Sequence, residues 1–230
     1  MLVAAPLNAV HRTLVMNRRV RVLARHIAGT IDGPASVLDV GCGDGTLAKA
    51  ITAATPGLDI HGIDVFLRPR VAIPAIAFDG ARIPYDDNSF DYVTLVDVLH
   101  HADDAENLLT EALRVARRGV VVKDHLVEGL AARSTLCLMD WVGNRGHEVQ
   151  LPYNYLERAE WHQLLKRCNT YAEYWEERLG IYPFPFNLAF DRGLHFLARL
   201  APAGIATDQL APFPVKVSTS ALQRPAVSLA

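Results

Sequence analysis

The chain reads as an α/β protein built on a doubly wound, mostly parallel sheet, and three observations carry that reading. Short, continuously apolar segments alternate with amphipathic helical patterns from Ser36 onward, the order that right-handed strand–helix–strand crossovers generate. Those segments are apolar without alternation, as strands covered by helices on both faces are. The first of them runs straight into a loop with three glycines, Gly41, Gly43 and Gly45, from which a helix opens.

Residues 1–35 differ from the rest and predict an N-terminal helical extension. Leu7, Val10, Leu14, Leu23 and Ile27 fall near helical spacing, with Arg12, Arg18, Arg19, Arg21 and Arg25 between them. Such a helix covers one side of a sheet or pocket, or, as the alternative, touches phosphates or a membrane surface. Gly33-Pro34 then breaks the chain. Val37–Val40 is the first strand, and Leu47, Ala50, Ile51 and Ala54 mark the buried stripe of a helix that Asp44 is placed to cap. Asp59–Val65, Ala75–Phe78, Asp91–Leu99 and Gly119–Lys123 are the next strands, and Pro69 and Pro74 leave room for only a brief helix before the third. A helix over Asp103–Ala116 follows from the stripe Leu108, Leu109, Ala112, Leu113, Ala116, with Asp103 and Glu106 as its capping pair and Gly119 as its stop. Asn154 with Glu157 predicts the start of another helix running through Cys168. Thr170–Leu179 and Leu194–Leu200 predict a closing hairpin around Pro183-Phe184-Pro185-Phe186. Residues 36–200 thus form the main domain, and the Pro-, Ala- and Ser-rich residues 201–230 predict a poorly ordered tail.

Composition narrows the function. At 230 residues and 25.3 kDa, with 50% apolar and 21% charged residues, the chain can bury a full core. It carries no apolar run long enough for a membrane-spanning helix and no apolar stretch of the secretory kind at its start, which predicts a cytoplasmic protein without stable membrane insertion. Cys42, Cys137 and Cys168 are too scattered for a disulfide framework or a zinc motif. A formal charge of −2 gives no electrostatic case for a nucleic-acid partner.

The stretch Val37-Leu38-Asp39-Val40-Gly41-Cys42-Gly43-Asp44-Gly45-Thr46 is the most informative. Glycines let the backbone turn tightly and let a ligand approach the main chain. Asp64, nineteen residues after Gly45 at the end of the second strand, is placed to accept bonds from both ribose hydroxyls of a nucleoside lying across the strand ends. A nicotinamide-type loop has a third glycine where Thr46 stands, and its pyrophosphate would meet Asp39 and Asp44. A cationic or zwitterionic ligand suits this bend better. An NAD(P)-dependent oxidoreductase is therefore the weaker reading.

With those residues in place, the chain resembles the class I S-adenosylmethionine-dependent methyltransferases that act on small molecules, over about Val37 to Lys123. The resemblance rests on the glycine loop, on His61-Gly62-Ile63-Asp64-Val65, on Phe78-Asp79-Gly80-Ala81, on Asp86-Asp87-Asn88-Ser89-Phe90-Asp91-Tyr92-Val93 and on Asp97-Val98-Leu99-His100-His101. It implies a seven-stranded sheet with S-adenosylmethionine as cofactor, left as S-adenosylhomocysteine. It also implies a cofactor set of Asp39, Gly41, Cys42, Gly43, Asp64, Val65, Asp79, Gly80 and Asp97. There Asp39 pairs with the cofactor's amino group, Asp64 binds the ribose, Asp79 bonds the adenine amino group and Asp97 lines the methionine end. Each has a plainer role beside this one: Cys42 fits between glycines because it is small, Asp44 caps a helix, and Asp79 holds a turn.

Methyl transfer from a sulfonium is an in-line displacement that needs mostly positioning, and a base only where the acceptor must lose a proton. Candidates at the carboxyl ends of the fourth and fifth strands are Asp97, His100, His101, Lys123, Asp124 and His125. Of these, His125 is expected as base with Asp124 orienting it, and His101 as a further catalytic candidate. The spacing of Asp97, His101, Asp124 and His125 matches no metal-binding motif, so no metal is expected. Met139–Asn154, with Trp141, Asn144, His147, Pro152, Tyr153 and neighbouring Tyr155, reads as the wall of a mostly apolar pocket or as a lid. The expected reaction is methyl transfer to an oxygen or carbon centre of a small, partly apolar metabolite. A non-catalytic cofactor-binding scaffold is the alternative.

Overall fold

The central strand β1 (Ala35–Val40) alternates its side chains between two cores. Val37 faces one apolar cluster, while Leu38 and Val40 face the other. In the computed structural model, which describes residues 16–143 and 154–201, the same division runs across the whole sheet. On one side, α1 (Asn17–Thr30) and α2 (Thr46–Ala54) pack Leu23, Ala24, Ile27, Ala48 and Ile51 against Val37, Ile60, Tyr92, Val121 and Leu197. On the other, α3 (Ala105–Val115) and α5 (Arg158–Arg167) pack Leu109, Ala112, Trp161 and Leu165 against Leu38, Val93, Leu95, Val122 and Phe196. The stripe of α1 is thus part of the sheet's own core. Residues 1–15 and 202–230 lie outside the described residues, and with them much of the expected extension and all of the expected tail beyond Ala201.

The remaining strands are β2 (Leu58–Asp64), β3 (Ala75–Ala77), β4 (Phe90–Val96), β5 (Ala116–His125), β6 (Ala172–Glu176) and β7 (His195–Leu200). They form a seven-stranded sheet in the order β3-β2-β1-β4-β5-β7-β6. β1 to β5 pair in parallel, whereas β7 runs antiparallel to both β5 and β6. The strand order reverses between β1 and β4, which opens a crevice outside their carboxyl ends. Because β7 is antiparallel, His195 at its start lies opposite His125 at the end of β5. Helix α4 (Ala132–Gly143) closes that end through a small cluster of Ala132, Leu136, Tyr155 and Leu194, and the short α6 (Asn187–Phe190) follows the proline-aromatic loop. Among the described residues, no helix is long and apolar enough to cross a membrane.

Three local expectations are corrected. Asp104, not Asp103, caps α3, accepting from Asn107 N at 2.9 Å, because burial of Leu108, Leu109, Ala112 and Leu113 fixes the helix register. Glu157, not Asn154, caps α5, in a reciprocal box with Glu160; Asn154 is drawn away, its N–H donating to the His100 carbonyl at 3.3 Å. Gly119 does not stop a helix, since α3 passes directly into β5 at Ala116. Glycine is needed there because a Cβ would lie 2.7 Å from the Leu200 carbonyl oxygen of β7.

Candidate functional site

The bend after β1 is held by its own backbone. Gly41, Gly43 and Gly45 all take positive φ, 73°, 58° and 71°, and the N–H groups of Gly41 and Cys42 donate to the Ile63 carbonyl at 2.8 and 3.2 Å. A Cβ on Gly41 would sit 2.5 Å from Val98 Cγ2, and one on Gly45 2.9 Å from Ile73 Cγ1, so these two positions are closed to side chains. At Gly43 the nearest atom is Arg68 Nη2 at 4.0 Å, which leaves that face of the loop open. Asp44 accepts from Thr46 N at 2.9 Å at the start of α2.

Asp64 closes the bend from β2. One carboxylate oxygen accepts from Gly43 N at 2.8 Å and the other from Phe66 N at 2.9 Å. A carboxylate offers about four lone-pair sites, so two remain for a ligand. Beyond it, Val65 and Phe66 are each 63% exposed, an unusual pair of bare apolar groups beside a polar crevice. Gly80 lies under Val65, where its own Cβ would stand 3.0 Å from Val65 Cγ1. Asp79 is exposed and accepts from Ala81 N and Arg82 N, both at 2.8 Å and both on Oδ1. Those backbone bonds hold its carboxyl below the usual range.

Asp39 is buried at the other side of the bend, with Thr94 Oγ1 donating to it at 2.7 Å. Burial raises its pKa to about 6, against the Thr94 bond, and Asp64 adds to the rise. Cys42 is buried, and burial, reinforced by Asp39 and Asp64, pushes its thiol up to about 12. It therefore has no thiolate character at neutral pH. Its sulfur packs over Gly62, where a Cβ would come within 2.5 Å of Cys42 Sγ. Gly62→Ala is expected to cost about 1–3 kcal/mol by overpacking, with part of the loss recovered by adding Cys42→Ala. Urea melts of both variants check this; no recovery would deny the packing role of Cys42.

The second part of the site is a dense polar cluster at the ends of β4, β5 and β7. Asp97, in a left-handed conformation at φ 56°, is paired with both Arg19 of α1 and buried Lys123. Burial would raise its pKa, but Lys123 and Arg19 hold it well below the usual carboxylate range. Burial lowers Lys123, whose Nζ also lies 3.3 Å from His195 Nδ1. Asp124 is buried and accepts from His100 Nδ1 at 2.6 Å and from the backbone N–H of His125 at 2.8 Å. The imidazole that Asp124 orients is thus His100, not His125, which corrects the expected pairing. The reason is geometric, since the 3₁₀ turn Leu99–His101 lays His100 directly over the end of β5.

His100 is buried, yet Asp124 and Asp140 overcome the burial and raise its pKa to about 10. His125 goes the other way, to about 3, through burial first and nearby Lys123 second. Its Nε2 stands 3.5 Å from Asp97 Oδ1 and 3.8 Å from Asp140 Oδ1. Burial also lowers His101, with His100 adding to it, and holds His195 well below its ordinary value. Three of the four histidines are therefore neutral and one is charged.

The structure places Asp39, Gly41, Cys42, Gly43, Asp64, Val65, Asp79 and Gly80 around the crevice, and Asp97, His101, Asp124 and His125 in the adjoining cluster. Sequence reasoning missed Asp140 and His195 there. Both carried a signal, a lone acid in the apolar run Leu136–Trp141 and a histidine inside the apolar run Leu194–Ala198. Met139 and Trp141 belong to α4 and Tyr155 stacks on His100, with ring centroids 5.4 Å apart. Asn144, His147, Pro152 and Tyr153 lie outside the described residues.

A glycine bend at the strand-order reversal, an acid at the end of β2 and an antiparallel seventh strand define a class I S-adenosylmethionine-dependent methyltransferase fold. Residues 38–122 match the methyltransferase domain family, and S-adenosylmethionine is the cofactor to which that match points. It is 37% identical over 109 residues to a demethylmenaquinone methyltransferase of Renibacterium salmoninarum, a match covering 44% of this chain and 45% of that one. A 2-methyl-6-phytyl-1,4-hydroquinone methyltransferase of Synechocystis is 28% identical over 146 residues, covering 59% of this chain and 41% of that protein. The chain thus spans less than half the length of these curated relatives. A SAM-dependent methyltransferase from Aquifex aeolicus shares the fold at a TM-score of 0.54 and 15% identity, over 84% of this chain and 93% of that one.

Proposed function

We propose that the protein transfers the methyl group of S-adenosylmethionine to an oxygen or carbon centre of a small, partly apolar metabolite. The observation that carries the reading is the Asp64 carboxylate, bonded to the loop at Gly43 and to Phe66 while keeping acceptor capacity at the mouth of the crevice. In this reading the ribose hydroxyls donate to Asp64, and the adenine lies by Val65, Gly80 and Asp79. The open backbone of Gly41–Gly43 takes the methionine portion, with its amino group toward Asp39 and its far end toward Asp97. The bound cofactor supplies an activated methyl, and the protein's work is to position it and exclude water.

The acceptor then approaches from the cluster at the ends of β4 and β5. The two quinone-type names among the relatives support a ring carbon or ring hydroxyl as acceptor. His125, neutral at physiological pH, with a buried Nδ1 that has no hydrogen-bond partner among the described residues, is positioned to take the acceptor's proton, and His101 adjoins it through His100. Such a weakly basic imidazole works only on an acceptor of raised acidity, which again favours a phenol or hydroquinone over an alcohol.

The test is methyl-label transfer from S-adenosylmethionine to panels of hydroquinones, phenols, amines and oligonucleotides. Label on the hydroxylated rings supports the reading, and label confined to amines or oligonucleotides contradicts it. His125→Ala is expected to lower turnover at least tenfold with little change in cofactor affinity, as loss of a base does. The reverse split would remove His125 from the chemistry.

A further inference from the structure

The polar cluster holds more unsatisfied capacity than a packed ion network should. Among the described residues, His100 Nε2, His101 Nδ1, Asp124 Oδ2, His125 Nδ1 and His195 Nε2 are all buried without a hydrogen-bond partner. Native interiors leave few such atoms, and each asks for an explanation such as a missing ion. Here they gather in one place. Two sets of three side chains stand close enough to share a cation, each set with its ligand atoms within 4.8 Å of one another: His100, Asp124 and His125, and His100, His101 and Asp140.

Hydrogen bonding separates the two. In the first set, His100 Nδ1 is already committed to Asp124 Oδ1 at 2.6 Å, a contact a cation would have to break. In the second, His100 turns its other nitrogen, Nε2, toward Asp140, 3.3 Å from Oδ2 but off hydrogen-bond geometry. That side chain is 1% exposed, so the nitrogen has no contact with bulk water. A carboxylate on the far nitrogen is what a metal-ligating histidine has. It fixes one proton on Nδ1, and a bound cation would displace the second proton, which the charged His100 carries on Nε2. The carboxylate of Asp140 is in turn held by the Tyr155 hydroxyl, as ligating carboxylates are.

We propose that His100 Nε2, a ring nitrogen of His101 and the Asp140 carboxylate form a binding site for a divalent transition-metal ion, with Asp124 and Tyr155 as the positioning groups behind it. Two imidazoles and one carboxylate suit zinc and its neighbours rather than magnesium or calcium, which prefer all-oxygen sets. Three protein ligands leave a fourth position for water or an acceptor oxygen, the pattern of an open site rather than a structural one. Ligand atoms as much as 4.8 Å apart would close to about 3.4 Å, the separation of tetrahedral neighbours that each lie about 2.0–2.2 Å from zinc. A cavity of about 140 Å³ lies against His100 and is lined also by Ala102, Asn154 and Trp161. The inference stands on the cluster alone and does not require the transferase reading.

The test uses the full chain, stripped with a chelator and titrated calorimetrically with zinc chloride, with magnesium chloride as comparison and cobalt chloride for visible spectra. Expected are one zinc per chain, no comparable magnesium binding, and a cobalt spectrum of tetrahedral intensity. Asp140→Asn and His100→Gln, each shown to be folded by circular dichroism, should each weaken zinc binding at least tenfold. His101→Ala, at a half-buried position, serves where a buried variant fails to fold. His61→Ala, on the far strand β2, should bind as the unaltered chain does. Absence of stoichiometric zinc binding, or equal affinity in the folded Asp140→Asn or His101→Ala protein, overturns the proposal.

Discussion

Asp64→Ala is expected to lower the affinity for S-adenosylmethionine and S-adenosylhomocysteine at least tenfold. The side chain supplies two kinds of interaction at once. Toward the protein it accepts from Gly43 N and Phe66 N, tying the glycine bend to the end of β2. Toward the ligand, in the reading proposed above, it offers the remaining lone pairs to two ribose hydroxyls. Hydrogen bonds to a charged acceptor contribute about 1.5–3 kcal/mol each, and tenfold corresponds to about 1.4 kcal/mol, so one lost ribose bond already reaches the stated minimum. Calorimetric titration of the variant, with its melting temperature as a check on folding, measures the effect. Unchanged affinity would defeat the ribose assignment. Asp64→Asn should fall between, because an amide oxygen still accepts but carries no charge.

Asp39→Asn is expected to make the ligand-free protein more stable at pH 7.5 while weakening cofactor binding. Asp39 is buried, and its folded pKa of about 6 lies above the ordinary 3.8 of the unfolded chain. The folded state therefore holds a proton that the unfolded state has released. Below about pH 4 both states are protonated and nothing is lost; as pH rises toward 6 the acid becomes a burden, complete above it. At about 1.4 kcal/mol per unit, the burden is on the order of 2–3 kcal/mol. Asparagine mimics the protonated acid, keeps an oxygen for the Thr94 hydroxyl and removes that pH dependence. In the reading proposed above, the carboxylate is retained for the cationic amino group of the cofactor, so stability and binding should move in opposite directions. Thermal melts of both proteins from pH 4 to 8 test this. An Asn variant less stable than the parent at pH 7.5 would contradict it.

Most of the fold was legible because parallel strands buried on both faces leave unbroken apolar runs. Val37–Val40, Asp59–Val65 and Gly119–Lys123 announce β1, β2 and β5 within a few residues. The glycine bend and Asp64 were legible because both are dictated locally, by positive φ and by the end of a strand. Helix starts were less so, because neighbouring Asp103 and Asp104 are chemically alike and the choice between them is made by burial four residues on. Gly119 misled for a related reason, since its need for a bare Cα comes from β7, some eighty residues away. The cluster was half legible. Lys123-Asp124-His125 stood out as polar residues ending an apolar strand, but their partners Arg19, Asp140 and His195 come from α1, α4 and β7. Which carboxylate meets which imidazole depends on a single 3₁₀ turn, and no local spacing records it.

In the reading proposed above, the crevice over Asp39–Gly45 takes an adenosyl amino acid and not a dinucleotide. The most direct test is calorimetric titration of the purified chain with S-adenosylhomocysteine and, separately, with NAD⁺. One site for S-adenosylhomocysteine is expected, lost or weakened at least tenfold by Asp64→Ala, with no heat from NAD⁺. Saturable binding of NAD⁺ with none of S-adenosylhomocysteine would contradict it.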